Sequence, residues 1–294
     1  MTITDALREK AKGLLESGEI KYFIGWEKGT FWYQSPPAFI DKPEEIERLI
    51  WDEFCSYSLA RYAMRLDPDV KIGLAVKGCD SRGINRLIND NQLNRDQVVL
   101  IGIPCEGMKD ANNAVSASKA ADLPMEKKCQ ECTHPNPVIY DVMLNDPVSK
   151  ADITKEDIYK EVDELEQKSP DEKYQYWSKQ YEKCIRCYAC RNTCPACNCR
   201  ECYVDQYKVG WQNKAVNLAE NQMFHITRAM HVAGRCVECG ECERVCPVGV
   251  PLMKLNKKLA KDINELFGEF EAGVTAEEEP PLGKFNTEDP EEFM

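Results

Sequence analysis

No stretch of about 20 consecutive apolar residues occurs in this chain, which leaves no membrane-spanning helix of ordinary length. The opening residues, MTITDALREK, hold no apolar run behind a basic flank, so no secretory signal is expected. Histidine is scarce, at three residues in 294. No Ser/His/Asp arrangement, Walker loop or G-x-G-x-x-G fingerprint is present, which removes the common phosphate and dinucleotide cradles. Positive charge is in deficit. Against 50 Asp and Glu stand 38 Lys and Arg, a net charge of −12. A chain so acidic does not bind nucleic acid by neutralising phosphates, and its partners are expected to be proteins.

Cysteine, in contrast, is abundant, at 16 residues. With no export signal, disulfides are the poorer reading, and a reducing cytoplasm is the expected location. The spacing is that of metal ligands. One frame occurs twice: Cys184-x-x-Cys187-x-x-Cys190-x-x-x-Cys194-Pro195 and Cys236-x-x-Cys239-x-x-Cys242-x-x-x-Cys246-Pro247. In such runs three cysteines grip one iron–sulfur cluster and the fourth reaches across to the other. The pair predicts two [4Fe-4S] clusters side by side. One takes Cys184, Cys187, Cys190 and Cys246, and the other takes Cys236, Cys239, Cys242 and Cys194. Four thiolates per cluster leave no open iron, which suits electron transfer rather than substrate chemistry. The proline after each fourth cysteine removes a backbone donor and turns the chain away from a helix.

The first half reads as α/β. Residues 5–17 are expected to be a helix, with Leu7, Ala11, Leu14 and Leu15 on one face and Gly18 as a stop. Residues 20–26 read as a strand, and Pro43 is expected to open a long helix carrying Ile46, Leu49 and Ile50. Val70–Val76 is a strand pattern, followed by Gly78-Cys79 and a helix with Ile84, Leu87 and Ile88 inward. A second strand, Val98 to Ile103, ends in Pro104-Cys105. That is a βαβ unit, whose strands run parallel. Cys79 and Cys105 therefore fall past the carboxyl ends of parallel strands, where open α/β sheets bind ligands. Cys129-x-x-Cys132 follows in a proline-rich loop. Cys79, Cys105, Cys129 and Cys132 stand 26, 24 and 3 residues apart and supply the four thiols of a third cluster. That spacing is no general motif, and a zinc site built from the same four cysteines or unligated thiols remain open alternatives.

The second half reads as helical. Residues 151–180 are a charged connector in which Thr154 and Asp157 form a capping box. Its aromatics, Tyr174, Tyr176 and Trp177, together with Tyr181 just beyond, are read as packing residues. Between the cysteine runs, Val216, Ala219, Met223, Ile226 and Met230 recur at helical spacing and predict an amphipathic helix ending at Gly234. Leu252, Leu255, Leu259, Ile263 and Leu266 do the same after the second run. The expected class is an α/β domain over 1–150 followed by an all-α dicluster ferredoxin domain over 181–266. An acidic segment over 267–294 would be a disordered tail or a wrap around a partner. His225 and His231 lie off the apolar stripe and, like His134, read as solvent-facing or capping residues. Cys197, Cys199 and Cys202 are left over as spare ligands, a redox pair or part of a fourth cluster completed by Cys55 or another chain.

Residues 70–142 resemble the beta-subunit family of deazaflavin-reducing hydrogenase and formate dehydrogenase, on Gly78-Cys79, Pro104-Cys105 and Cys129-x-x-Cys132. Residues 181–266 resemble the helical dicluster domain of the heterodisulfide reductase small subunit and of succinate dehydrogenase. The resemblance implies a third [4Fe-4S] cluster on the four N-terminal cysteines and a nearby FAD, for which Gly25, Trp26 and Cys55 are the candidate site. Two departures bear on the flavin. The family usually carries its ferredoxin run before the flavin domain, whereas here it follows, and the family's Gly-Gly flavin segment is not evident. The implied role is an electron-transfer subunit of a cytoplasmic oxidoreductase. It would work with a heterodisulfide-reductase-like flavoprotein, a formate dehydrogenase or a hydrogenase. A flavoenzyme oxidising a reduced deazaflavin or nicotinamide is the alternative, and a zinc-bearing scaffold is the non-redox one.

Overall fold

The computed structural model describes residues 1–67, 69–277 and 280–283. Helix α1 (Ile3–Glu16) starts at a reciprocal cap between Thr2 and Asp5 and buries Leu7 and Ala11. The sheet contains β1 (Tyr22–Glu27), β2 (Pro37–Ile40), β3 (Leu49–Ile50), β4 (Ile72–Val76), β5 (Val98–Gly102) and β6 (Val142–Met143). Its order is β2-β1-β4-β5-β6, with β3 paired to β1. β2 and β3 pair antiparallel with β1, while β1, β4, β5 and β6 run parallel. Every residue of β4 and β5 is buried, as expected of central strands covered on both faces. Helix α2 (Gly78–Asn89) joins them, so the anticipated βαβ unit is present with Ile72 opposite Val98 and Val76 opposite Gly102.

Two expectations for this half need correction. The segment after Pro43 is one 3-10 turn, Pro43–Arg48, and not a long helix. Leu49 and Ile50 leave it to pair with β1, because burying them against Glu27 and Trp26 satisfies backbone groups a helix would turn elsewhere. The candidate flavin residues are core. Gly25 sits where an added Cβ would lie 2.7 Å from Leu49 Cδ2. Trp26 is fully buried and donates from Nε1 to Tyr57 O at 3.1 Å. Cys55 is fully buried, its Sγ taking the Asp52 N–H at 3.3 Å. Tight packing leaves these three no free face to offer a ring system.

Past β6 the regular elements among the described residues are helices. Short α3 (Lys127–Gln130) precedes it. Then come α4 (Lys155–Glu166), α5 (Pro170–Glu182), α6 (Ala189–Asn192), α7 (Leu218–His231), α8 (Glu241–Arg244) and α9 (Leu252–Phe267). The Thr154–Asp157 cap is present, and Ser169-Pro170 stops the segment from being one continuous helix by starting α5 afresh. α4 lies on α9, tied by Lys261 to Asp163 at 2.8 Å and to Glu166 at 2.6 Å. α5 lies on α7, where Asn221 Nδ2 donates to Tyr181 O at 2.9 Å. Trp177 stacks on Tyr181 at 5.4 Å, and Tyr181 stacks on His225 at 4.9 Å.

The α7 stripe is reversed relative to expectation. Ala219, Met223, Ile226 and Met230 face solvent, while Asn221, Phe224, His225, Arg228 and Ala229 face inward. His225 is therefore buried, not solvent-facing. The reason lies in what the inner face must serve: the cysteine loops beneath α7 need donors and a cation, which an apolar face cannot supply. The acidic segment also departs from expectation. Its first residues fold back on their own chain, with Ala272 O taking Arg82 Nη2 at 2.9 Å and Gly273 O taking Asn85 Nδ2 at 3.0 Å. The reading of a loose tail over 284–294 lies outside the described residues.

Candidate metal centre and inter-domain cavity

The two cysteine runs fold as the same loop twice. Arg186 and Glu238 hold equivalent frame positions and both have positive φ, 56° and 52°. Tyr188 and Gly240, two residues on, do too, at 60° and 68°. Three of these four are not glycine. Left-handed backbone at non-glycine residues costs of order 1–3 kcal/mol each and persists where the site demands it. Here it aims N–H groups at sulfur. Arg186 N–H donates to Cys184 Sγ at 3.4 Å, and Val250 N–H donates to Cys246 Sγ at 3.3 Å. Glu238 and Glu241 backbone groups serve Cys236 and Cys239 in the same way. Such N–H···S bonds stabilise thiolates and tune what they hold.

The side chains group across the two runs. Burial comes first in raising the Cys184 and Cys190 thiols. The next neighbours felt include Cys246 and Cys187, and Cys190 also feels Cys184. Thus Cys246, from the second run, sits with Cys184, Cys187 and Cys190. In the second group burial again dominates, and Cys194 acts on all of Cys236, Cys239 and Cys242. Burial pushes Cys190 up to about 11 and Cys242 to about 12. Thiols held that high are poor free nucleophiles, and a metal must displace their protons. Cys194 goes the other way, held low by the Cys197 side chain bonded to it.

Between the groups stands Arg228. It is buried, donates from Nη2 to Cys190 O at 3.2 Å, and is kept charged against burial by the thiols of Cys242, Cys194, Cys197 and Cys190. Asn221 donates to Cys184 O at 2.9 Å. Neither residue was singled out from sequence, because a polar face on an apparent surface helix gave no signal. No three His, Cys, Asp or Glu side chains among the described residues converge as a single metal ion requires.

The N-terminal cysteines meet as well. Cys79 opens α2, Cys105 follows β5, and Cys129 and Cys132 flank the end of α3. Cys105 interacts with Cys79, Cys129 and Cys132. Gly107 N–H donates to Cys105 Sγ and Met108 N–H to Cys129 Sγ, both at 3.4 Å. Lys77 is buried beside them, paired with Asp80 at 2.9 Å and lying 4.0 Å over the Trp26 ring. Glycine is required at 78, where an added Cβ would lie 1.8 Å from His134 O.

All four of these cysteines line one cavity of about 1020 Å³, and Cys239 and Cys246 line it from the opposite side. None of Gly25, Trp26 and Cys55 does. A buried ion network closes the gap between the two halves. Lys128 Nζ donates to Glu241 Oε2 at 3.0 Å and to Ser56 O at 2.9 Å, and Glu241 Oε1 accepts the Ser58 N–H at 3.3 Å. Although burial opposes it, Lys128 and Arg244 hold the Glu241 carboxyl well below the usual range. Gly240 makes the approach feasible, since a Cβ there would lie 2.4 Å from Lys128 Cβ. Cys55 packs in the α/β core, Cys197 against Cys194 and Cys236, and Cys202 beside the Cys184 group. The structure therefore does not bring Cys55 to the other three spare thiols.

His225 carries a consequence for acid stability. Burial pushes it down to about 3, with Arg228 and Arg186 adding to the effect, and both ring nitrogens lack a partner among the described residues. Unfolded, it takes a proton near pH 6.5, whereas folded it stays neutral. Stability should fall as pH drops from 6.5 towards 3, by at most about 1.4 kcal/mol per pH unit from this group. His225→Phe should flatten the pH dependence of the denaturant midpoint between pH 7 and 5. An unchanged slope would remove His225 as its source.

Two like cysteine loops with amide donors to sulfur, and a buried arginine between them, are the architecture of a dicluster iron–sulfur module. Residues 180–250 match the family described as a 4Fe-4S dicluster domain. Over most of its length the chain is also similar to two curated proteins. One is the "F420-dependent formate dehydrogenase subunit beta" of Methanocaldococcus jannaschii, 24% identical across 87% of this chain and 88% of that protein. The other is the "F420-dependent formate dehydrogenase 1 subunit beta" of Methanococcus maripaludis, 24% identical across 92% and 91%. The resemblance read from the sequence thus extends well beyond residues 70–142. Among the described residues no helix is long and apolar enough to cross a membrane.

Proposed function

We propose that the chain is the iron–sulfur electron-transfer subunit of an oxidoreductase assembly of the formate dehydrogenase kind, working in a reducing cytoplasm. Cys184, Cys187, Cys190 and Cys246 hold one [4Fe-4S] cluster, and Cys236, Cys239, Cys242 and Cys194 hold a second, in an all-α ferredoxin domain. Cys79, Cys105, Cys129 and Cys132 hold a third. The clusters supply one-electron storage when bound. The chain's own residues do the rest. Amide N–H groups stabilise the thiolates, Arg228 offsets negative charge between the twin cages, and the Lys128–Glu241 network fixes the third cage against the second. The observation that carries this reading is the common cavity, walled by the N-terminal thiols on one side and by Cys239 and Cys246 on the other. Hydrogenase or heterodisulfide-reductase-like partners remain variants of the same role.

Protein purified without air should carry iron and acid-labile sulfide in equal amounts, about twelve of each per chain for three cubanes. Zinc in their place, or no metal in a folded chain, would end this reading. About eight of each would leave the twin cages and remove the third.

A second reading, a flavoenzyme acting on a reduced deazaflavin or nicotinamide, draws support from the same cavity. Its volume matches a cofactor pocket, and its wall offers basic side chains such as Arg82 and Lys150 beside carboxylates such as Glu106 and Glu131. FAD would then lie there and not at Gly25, Trp26 and Cys55. Flavin released on denaturing the pure protein decides this. Its absence leaves the chain an electron relay alone.

A further inference from the structure

The reversed face of α7 leaves apolar surface exposed among the described residues. Met223, Ile226 and Met230, spaced by three and four residues, share one side of the helix, and Met230 is 60% exposed. The preceding segment adds Tyr207, Val209 and Trp211, with Tyr207 74% and Trp211 68% exposed. That segment is not loose. Gln212 and Asn213 bond to Glu220 in the first turn of α7, the Asn213 N–H donating to Glu220 Oε2 at 3.0 Å. Arg186, inside the first cysteine run, donates to Glu220 O at 2.8 Å and to Asn213 O at 3.2 Å. The apolar surface is thus pinned to the loop that presents Cys187, an exposed cysteine, with exposed Ile185 beside it.

Aromatic and methionine side chains concentrated on one exposed region mark contact surfaces, because a free monomer rarely leaves such area in water. Charge identifies the occupant. Between Asp205 and Glu220 the only charged residues are Lys208 and Lys214, in a chain of net charge −12. A second copy would set these lysines against each other. An acidic partner would meet them.

We propose that the surface formed by residues 207–217 and the outer face of α7 docks an acidic one-electron carrier protein or subunit beside the Cys187 edge of the first cage. This rests on the electron-transfer reading above and adds where the partner sits and what charge it bears.

The test uses the full chain, purified without air, and a plant-type [2Fe-2S] ferredoxin as the acidic probe. Binding is read directly by titration calorimetry at two salt concentrations. Wild type should bind, more weakly at high salt. Lys208→Glu combined with Lys214→Glu should weaken binding about tenfold or more and reduce the salt dependence. Trp211→Ser combined with Ile226→Ser should weaken it to a similar degree with the salt dependence kept. Val115→Ser, at an exposed residue of the other domain, should change nothing. No binding by wild type, or binding untouched by both double variants, overturns the proposal. A wild-type dimer in sedimentation that Ile226→Lys disperses also overturns it, by naming a second copy as occupant. Iron counts on the same samples keep the two claims apart. A chain without clusters fails the electron-transfer reading, whereas a loaded chain indifferent to the probe fails only the docking.

Discussion

Glu241→Ala should destabilise the folded chain by about 3–5 kcal/mol, the usual cost of stranding a buried charge. Glu241 is almost fully buried and neutralises two cations at once, Lys128 at 3.0 Å and Arg244 at 2.8 Å. Its removal takes away the carboxylate Arg244 pairs with, leaves Lys128 only Glu126 at 3.4 Å, and frees the Ser58 N–H. Lys128→Met should cost less, because Arg244 still neutralises Glu241 and the methionine fills the same apolar stem space, leaving only Glu126, 3.4 Å from Lys128, without its cation. The order of the two variants is therefore the sharper expectation. Denaturant midpoints of the loaded protein read it, and iron content of Glu241→Ala should fall because the Cys129 and Cys239 loops lose their common brace. A Glu241→Ala midpoint within about 1 kcal/mol of wild type would show that this network does not hold the halves together.

That brace was invisible in the sequence, for a physical reason. Lys128 and Glu241 each sit near a cysteine in an ordinary charged context, and only the approach of two distant loops makes them partners. The elements that were legible had local causes. The βαβ unit followed from apolar runs punctuated by Gly78 and Pro104, and the dicluster domain followed from a cysteine frame repeated at fixed spacing. The flavin placement at Gly25, Trp26 and Cys55 failed because small and apolar residues near a strand serve a packed core equally well. The α7 reading failed differently. Periodicity gave the helix and its stripe correctly but not which side faces in. In most helices burial of apolar area decides that. Here the inner side faces thiolates, and Asn221 and Arg228 are worth more against sulfur and carbonyls than methionines would be. The stripe was left outside as a result, which is why it points to a partner.

Cys194→Ala should erase the cluster of its distant neighbours and not that of its near ones. Cys194 follows Cys190 by four residues, so a rule of sequence proximity assigns it to the Cys184 group. Cys194 acts electrostatically on Cys236, Cys239 and Cys242, and Cys246 on Cys184 and Cys190, which supports the proposed exchange. The Cys194→Ala protein should therefore lose about four irons and show the same residual electron paramagnetic resonance spectrum as Cys239→Ala. Cys246→Ala should match Cys187→Ala. The two residual spectra should differ, because the first set includes the exposed Cys187 while no cysteine of the second is exposed, and solvent access shifts cluster properties. Matching the other way round, with Cys194→Ala like Cys187→Ala, would mean that each run closes on itself. The crossing of the two runs would then be wrong, and with it the account of why Arg228, set between Cys190, Cys194 and Cys242, touches both groups.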